Sequence, residues 1–324
     1  MNMLAWLGRQ GPRALAAIVF VGIALPPVGA LLKPFITEAV FALLCLSFVR
    51  IDTTALLRYL KRPGLVLLAA AWSTLVVPLL VGAVCIASGI HQSSPALYRG
   101  LILQGIAPPM MAAPALAALM GLDATLVLVS MIASTALIPL TAPLFTYLLI
   151  GHDMPLSPVA IGTKLLALLA GSALIGLGIR RAASPAKVER YKDAIGGMNI
   201  VILFVIVAAL MENVAAQLMA APLAVAGYIL LAFGVFAALL GSTALLFAWA
   251  GRERALAIAL MVAQRNLGLM VAATGGVLPS LSWLYFAVSQ FPIYLSPRLL
   301  QPLVRRQADA SPPAPRPARF DSGD

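Results

Sequence analysis

Met-Val-Ala-Gln-Arg-Asn-Leu-Gly, residues 261–268, places three strongly polar residues in a row, Gln264, Arg265 and Asn266, inside an apolar run over about 255–276. The nearest basic flank, Arg252 and Arg254, begins 13 residues before Arg265. At a rise of about 1.5 Å per residue that is roughly 20 Å of helix, close to the middle of a bilayer. An arginine at that depth costs about 2.5–3.5 kcal/mol on insertion scales, so it needs a reason to be there. A second interruption answers it. Ala107-Pro108-Pro109 breaks the apolar run over 96–121. Two interrupted membrane helices in one chain point to a transport site at the midplane.

Composition agrees with that reading. The 324 residues are 62% hydrophobic and only 10% charged, with a mean hydropathy of +1.00. No soluble domain of this size hides so much apolar surface, and the chain reads as an all-α polytopic membrane protein. The runs are about 17–28 residues long, not the roughly ten-residue alternating segments of a membrane barrel. The net charge of +11 lies in short segments between runs, where it sets orientation, and not in a basic stripe interleaved with aromatics. Nucleic acid is therefore not expected as a partner; the lipid bilayer is. Cys45 and Cys85 lie in separate runs without a CxxC spacing and read as buried packing residues. His91 and His152 fall in loops, so neither a metal site nor another cofactor is expected.

Ten spans fit, at about 13–32, 34–49, 63–88, 96–120, 123–150, 158–180, 191–212, 221–250, 252–277 and 281–304. Arg9, Arg13, an apolar run and then Val28-Gly29-Ala30 imitate a secretory leader; with many spans following, this stretch is expected to be the first membrane helix. If the N-terminus is cytoplasmic, 18 of the 22 Lys and Arg residues fall inside and only Lys33 and Arg99 flank the outside. Lys164 and Arg265 lie within spans. Both termini are thus expected in the cytoplasm, and with no organellar targeting segment the inner membrane of a bacterium is the expected location.

A single transporter domain is expected over 1–304, made of two inverted five-helix repeats at about 13–150 and 158–304. The broken spans four and nine are five apart and reach their breaks at the same depth from opposite faces, the geometry of crossing discontinuous helices. Each is followed by a span punctuated with prolines, Pro139 and Pro143 in one, Pro292 and Pro297 in the other. The tail over 305–324 is Pro- and Ala-rich and is expected to be disordered and cytoplasmic.

Candidate binding residues gather at the breaks. Pro108 and Pro109 remove backbone donors and leave carbonyls near 103–107 without partners, which hydrocarbon tolerates only beside protein or a wet cavity. Arg265 presents five donors in a planar fork suited to a carboxylate, sulfonate or phosphate, flanked by the amides of Gln264 and Asn266. Gln104, Ser130, Ser134 and Gln290 are further candidates for the cavity wall, and Asn199 could also face it. The competing readings are a proline kink packed by neighbours, an arginine that neutralises Glu38 or caps the orphan carbonyls of span four, and serines bonded back to their own helix. Lys164 and Glu212, near outer ends, are expected to snorkel. Ser172 and Gly176 read as helix packing.

At these residues the chain resembles the bile acid:sodium symporter family. Ala107-Pro108-Pro109, Asp123, Ser134-Thr135 and Pro139-Leu-Thr-Ala-Pro143 follow that family's broken helix, short turn and Ser-Thr/Pro-rich helix. Residues 264–268 resemble its crossover segment. The resemblance implies the ten-helix inverted-repeat fold and transport of an organic anion, with Asn266 at the substrate crossover.

Departures are equally informative. The family's sodium sites resemble a Ser-Asn pair, span-five threonine hydroxyls, and a Glu with a Gln in span nine. The corresponding positions here are Ala113 and Pro114, Met131 and Ile132, then Met261 and Arg265. Sodium takes oxygen ligands, and a fixed cation repels another. The expected activity is therefore alternating-access transport of a small organic anion near Arg265 and Asn266 without sodium coupling. A sodium-coupled symporter of bile-acid-like or other carboxylates, and a non-transporting channel or sensor on the same fold, stay as alternatives. A membrane enzyme would need a nucleophile–base pair or a metal cluster, and neither motif is present. The likeness to arsenite exporters is weaker, since neither cysteine lies at a break.

Overall fold

The computed structural model describes residues 3–50, 63–151, 156–183 and 185–309. Among these the regular structure is helical, and an isolated bridge between Pro109 and Arg265 is the β-type pairing present. In chain order the helices are α1 Met3–Ala24, α2 Pro26–Leu32, α3 Ile36–Val49, α4 Pro63–Ala71, α5 Val77–Ala87, α6 Ile90–Ser93 and α7 Pro95–Ile106. There follow α8 Ala113–Leu119, α9 Ala124–Phe145, α10 Pro158–Ala182, α11 Pro185–Arg190, α12 Lys192–Met211 and α13 Val214–Ala220. The last five are α14 Pro222–Leu246, α15 Arg252–Ala263, α16 Leu267–Ala273, α17 Ser280–Val288 and α18 Gln290–Asp309.

Six helical stretches are long and apolar enough to cross a membrane: Pro26–Val49, Pro63–Ala87, Ala124–Ile150, Pro158–Ala182, Lys192–Ala220 and Pro222–Leu246. Helices suit such sequences because each backbone donor finds its acceptor within the segment. Several begin on proline, whose missing N–H costs nothing in a first turn. Gly121 (φ 72°) turns the chain between α8 and α9, a conformation that an L side chain rarely adopts. Two stretches widen into π-type turns, Trp72–Val76 between α4 and α5 and Thr146–Ile150 after α9.

Three boundaries differ from the sequence reading. The first helix runs over Met3–Ala24 and not 13–32, and Pro26–Val49 continues as one helical stretch through a 3-10 turn at Lys33–Phe35. Pro26 and Pro27 cause this: Leu25, before a proline, is pushed to φ −124°, ψ 60°, and the prolines then open a new helix. Lys33 therefore falls within the second stretch. At the other end α18 continues to Asp309, so 305–309, expected to belong to the tail, are helical. Residues 310–324 and the basic segment with Arg58, Lys61 and Arg62 lie outside the described residues, as does His152.

The helices pack in two groups. In one, α1 lies along α12, which also touches α2 and α3, while α3 packs on α10. In the other, α14 packs on α15, α17 on α7, α9 on α4, and α5 on α7. They meet where α9 touches α10, α16 touches α3, α12 touches α17 and α1 touches α18. Close approach in the first group depends on missing side chains. A Cβ on Gly197 would fall 1.9 Å from the Leu4 carbonyl oxygen, and one on Gly8 would fall 2.1 Å from that of Asp193. Such small-residue contacts let membrane helices gain dispersion energy where no hydrophobic drive separates helix from lipid. Gly176 likewise lies under Cys45 and Phe48 of α3, while Ser172 bonds back to Leu169. Cys45 is half-buried, Cys85 is buried, and both are free thiols.

Gly197→Leu should therefore split α1 from α12 and cost about 1–3 kcal/mol or more. Gly227→Ala, in α14 where a Cβ meets nothing within 4 Å, should be neutral or stabilising. Thermal unfolding of the two purified variants against the parent chain checks this.

Candidate functional site

The two broken runs meet as the sequence places them. The helix α7 stops at Ile106, and Ala107, ahead of two prolines, is extended at φ −54°, ψ 140°. On the other strand of the crossing α15 stops at Ala263, and Gln264 and Asn266 take non-helical dihedrals before α16 begins. The broken segments then serve each other: Met110 N–H donates to the Gln264 carbonyl at 2.7 Å, and Asn266 N–H donates to the Pro108 carbonyl at 2.8 Å. This antiparallel pair satisfies backbone groups that neither helix can satisfy alone. The Asn266 side chain caps α16, its Oδ1 accepting from Leu269 N–H at 3.1 Å.

Arg265 is 1% exposed, the largest fully buried side chain among those described. Its Nη1 donates to the Ala107 carbonyl at 2.8 Å, the Ser73 carbonyl at 3.3 Å and the Ser73 Oγ at 3.2 Å. Both carbonyls are orphans for a reason legible in the chain. Ala107 lies past the last turn of α7, where carbonyls have no following donor. In the π-type turn Val77 N–H goes to Trp72, five residues back, and Pro78 has no N–H, so Ser73 is left without a backbone donor. The arginine thus caps two helix breaks at once, one of the roles its sequence position allowed. Its Nε and Nη2 have no hydrogen-bond partner among the described residues. Glu38, the acid expected to neutralise it in one of the competing readings, is exposed in the first turn of α3 and forms no ion pair with Arg265.

Below the crossing opens a cavity of about 760 Å³ between the two helix groups. Its inner wall holds Met110, Arg265, Asn266, Gly268, Gln290 and Tyr294; the flanks hold Leu128, Met131, Asn199, Leu203 and Ile206; Arg9 and Arg50, with exposed side chains, and Gly196 also line it. Among the described residues, every charged residue on this wall is an arginine. At the opposite end a smaller cavity of about 290 Å³ lies beside Lys33 and Trp283. There Lys33 Nζ pairs with Glu212 Oε2 at 2.6 Å and lies 4.8 Å over the Trp283 ring, so Glu212 is ion-paired and not merely snorkelling.

Of the nine candidate residues, Arg265, Asn266 and Gln290 reach the cavity wall. The others do not line it. Pro108 and Pro109 form the crossing by their backbone. Gln104 Oε1 accepts from the Tyr285 hydroxyl. Gln264 Nε2 donates to the Ile293 carbonyl at 3.0 Å and to Ser296 Oγ at 2.7 Å. Ser134 bonds back to the Ser130 carbonyl at 2.7 Å, while Ser130 Oγ is buried without a partner among the described residues. Ser73 joins the site from outside the two breaks; its signal in the sequence is a Ser-Thr pair in an apolar run, five residues before Pro78. Ala113, Met131 and Met261 are buried and bring no side-chain oxygen to the crossing.

Asn266→Ala removes the cap of α16 and should cost about 0.5–2 kcal/mol, whereas Asn266→Asp keeps an acceptor and should cost less. Differential scanning fluorimetry of the two variants separates the cap from the bulk of the side chain.

A family model described as the sodium bile acid symporter family matches residues 37–221, more than half of the chain. The match contains the first break and the Ser73 turn and ends before the second break. A search of curated proteins returns no significant match. With six apolar helices of membrane-crossing length, two interrupted helices meeting at a buried crossing and this match, the chain belongs to the sodium bile acid symporter family, whose members are multi-pass membrane transporters.

Proposed function

We propose that the protein carries a small organic anion by alternating access, binds it beside Arg265 and Asn266, and does so without sodium. The observation that carries this reading is the free edge of Arg265. Nη1 is fully engaged with oxygens, but Nε and Nη2, the side-by-side pair from which a carboxylate accepts in bidentate fashion, have no partner among the described residues. A buried donor of that kind costs about 1–3 kcal/mol or more while unsatisfied. An anionic group arriving from the cavity removes that cost. The wall leading to it is cationic at Arg9, Arg50 and Arg265, and otherwise mostly apolar, with Met110, Met111 and Met131 able to adapt to an irregular cargo.

The ten-span, inverted-repeat arrangement belongs to the same reading. It is supported by two broken pairs, α7 with α8 and α15 with α16, crossing in antiparallel register. With both termini cytoplasmic, the 760 Å³ cavity opens inward, because Arg9 and Arg50 line its mouth, while the end with Lys33 and Trp283 faces outward. Sodium independence is supported by the side chains at Ala113, Met131 and Met261, which offer no oxygen, and by the fixed charge of Arg265. Membership of the family favours the second reading, sodium-coupled symport, and the salt comparison below decides between them.

Purified chain is screened against organic carboxylates, sulfonates and phosphates in sodium and in potassium salts, and hits are followed by counterflow in proteoliposomes. A ligand at 100 times its Kd adds about 2.7 kcal/mol of stability. The expected outcome is one anion that stabilises the parent chain equally in both salts, shows counterflow, and loses at least tenfold in affinity in Arg265→Lys, which cannot offer the bidentate edge. Stabilisation that requires sodium overturns the sodium-independent reading. Flux without counterflow would make the protein a channel.

A further inference from the structure

The other edge of Arg265 carries a separate consequence. Three oxygens converge on Nη1 at 2.8–3.3 Å: the Ala107 carbonyl, the Ser73 carbonyl and the Ser73 hydroxyl. Two of them are backbone carbonyls left without donors, one by the helix end before Pro108 and one by the π-type turn before Pro78. Helix α9, which packs against that turn, carries Ser130 Oγ and Thr135 Oγ1, both buried and without a hydrogen-bond partner among the described residues. The three oxygens on Nη1 are all neutral acceptors. No carboxylate pairs with the guanidinium among the described residues.

Neutral carbonyl and hydroxyl oxygens gathered at membrane depth are a setting in which a small cation replaces its hydration shell. We infer that the guanidinium of Arg265 is a cation built into the chain, seated in an oxygen cage made by Ser73 and Ala107, and that shortening this side chain leaves a site for a small monovalent cation. With no carboxylate in it, the cage favours a monovalent over a divalent ion. The positive charge that faces the cargo then stays with the protein throughout the cycle, and nothing need be imported with the anion to supply it. This rests on the reading of the crossing as the transport site, and it adds the reason why a separate coupling cation is dispensable there.

The test uses the full chain in detergent, as parent, Arg265→Ala, Arg265→Lys and the double variant Arg265→Ala with Ser73→Ala. Unfolding midpoints are read at matched ionic strength in choline, sodium, potassium and dilute guanidinium chlorides. The parent and Arg265→Lys should be indifferent to the replacement of choline by sodium, because each carries its own cation. Arg265→Ala should be destabilised in choline and regain roughly 2–4 °C, saturably, with sodium or guanidinium. The added Ser73→Ala should weaken that response by removing one of the three oxygens.

Equal midpoints for Arg265→Ala in all four salts overturn the inference. So does a sodium response in the parent chain, or failure of every cation to yield folded Arg265→Ala. The anion screen on the parent chain reads the cargo independently. Sodium rescue of Arg265→Ala with no anion hit leaves the cage standing and removes the cargo reading; an anion hit without rescue does the opposite.

Discussion

The reciprocal backbone hydrogen bonds between residues 108–110 and 264–266 allow both helices to be broken at all. A peptide group without a partner at membrane depth costs several kcal/mol, and each break exposes more than one. Bringing the breaks together in antiparallel register turns two defects into one short bridge, 2.7 and 2.8 Å on its two bonds. The remaining loose ends are gathered by side chains. Asn266 takes the first turn of α16, and Arg265 takes the carbonyls of Ala107 and Ser73. The result is a region of buried polar groups held inside a helical frame.

That arrangement separates two jobs along a single guanidinium. Nη1 is structural, closing the Ser73 hydroxyl and the two carbonyls that proline chemistry left open, while the Nε–Nη2 edge has no hydrogen-bond partner among the described residues. Arginine suits such a division, because its planar fork presents donors on distinct edges, which a lysine ammonium cannot do. The surrounding helices keep the fork in place: α16 packs on α3, and α9 packs on α15.

What could be read from the chain followed from how local each cause was. The breaks were legible because Pro108-Pro109 and Gln264-Arg265-Asn266 contradict the apolar runs around them, whatever the tertiary structure. The capping role of Arg265 was legible as one of several options. The start of the first helix was not, because Arg9 in a membrane helix looks like a flank until its exposure at the cavity mouth is known. Gln104 and Gln264 looked like cavity residues because a lone amide in an apolar run shows polarity and not direction; Tyr285 and Ser296, which bind them, lie far along the chain. Ser73 was hidden for a related reason. Its carbonyl is freed by a register shift at Pro78, and its partner is 192 residues away.

The same separation has a bearing on how the chain is made. Pro108 and Met110 leave the ribosome roughly 150 residues before Asn266 and Gln264, and at about 5–20 residues per second that is an interval on the order of 10–30 s. Throughout it the first break has its donor and acceptor exposed with no internal partner, at a depth where lipid offers none. The nascent chain must therefore hold that segment against water or the insertion machinery until the second break arrives. Integration of this protein is a process with an obligatory wait in its middle, and its early half is a client that the membrane cannot accept alone.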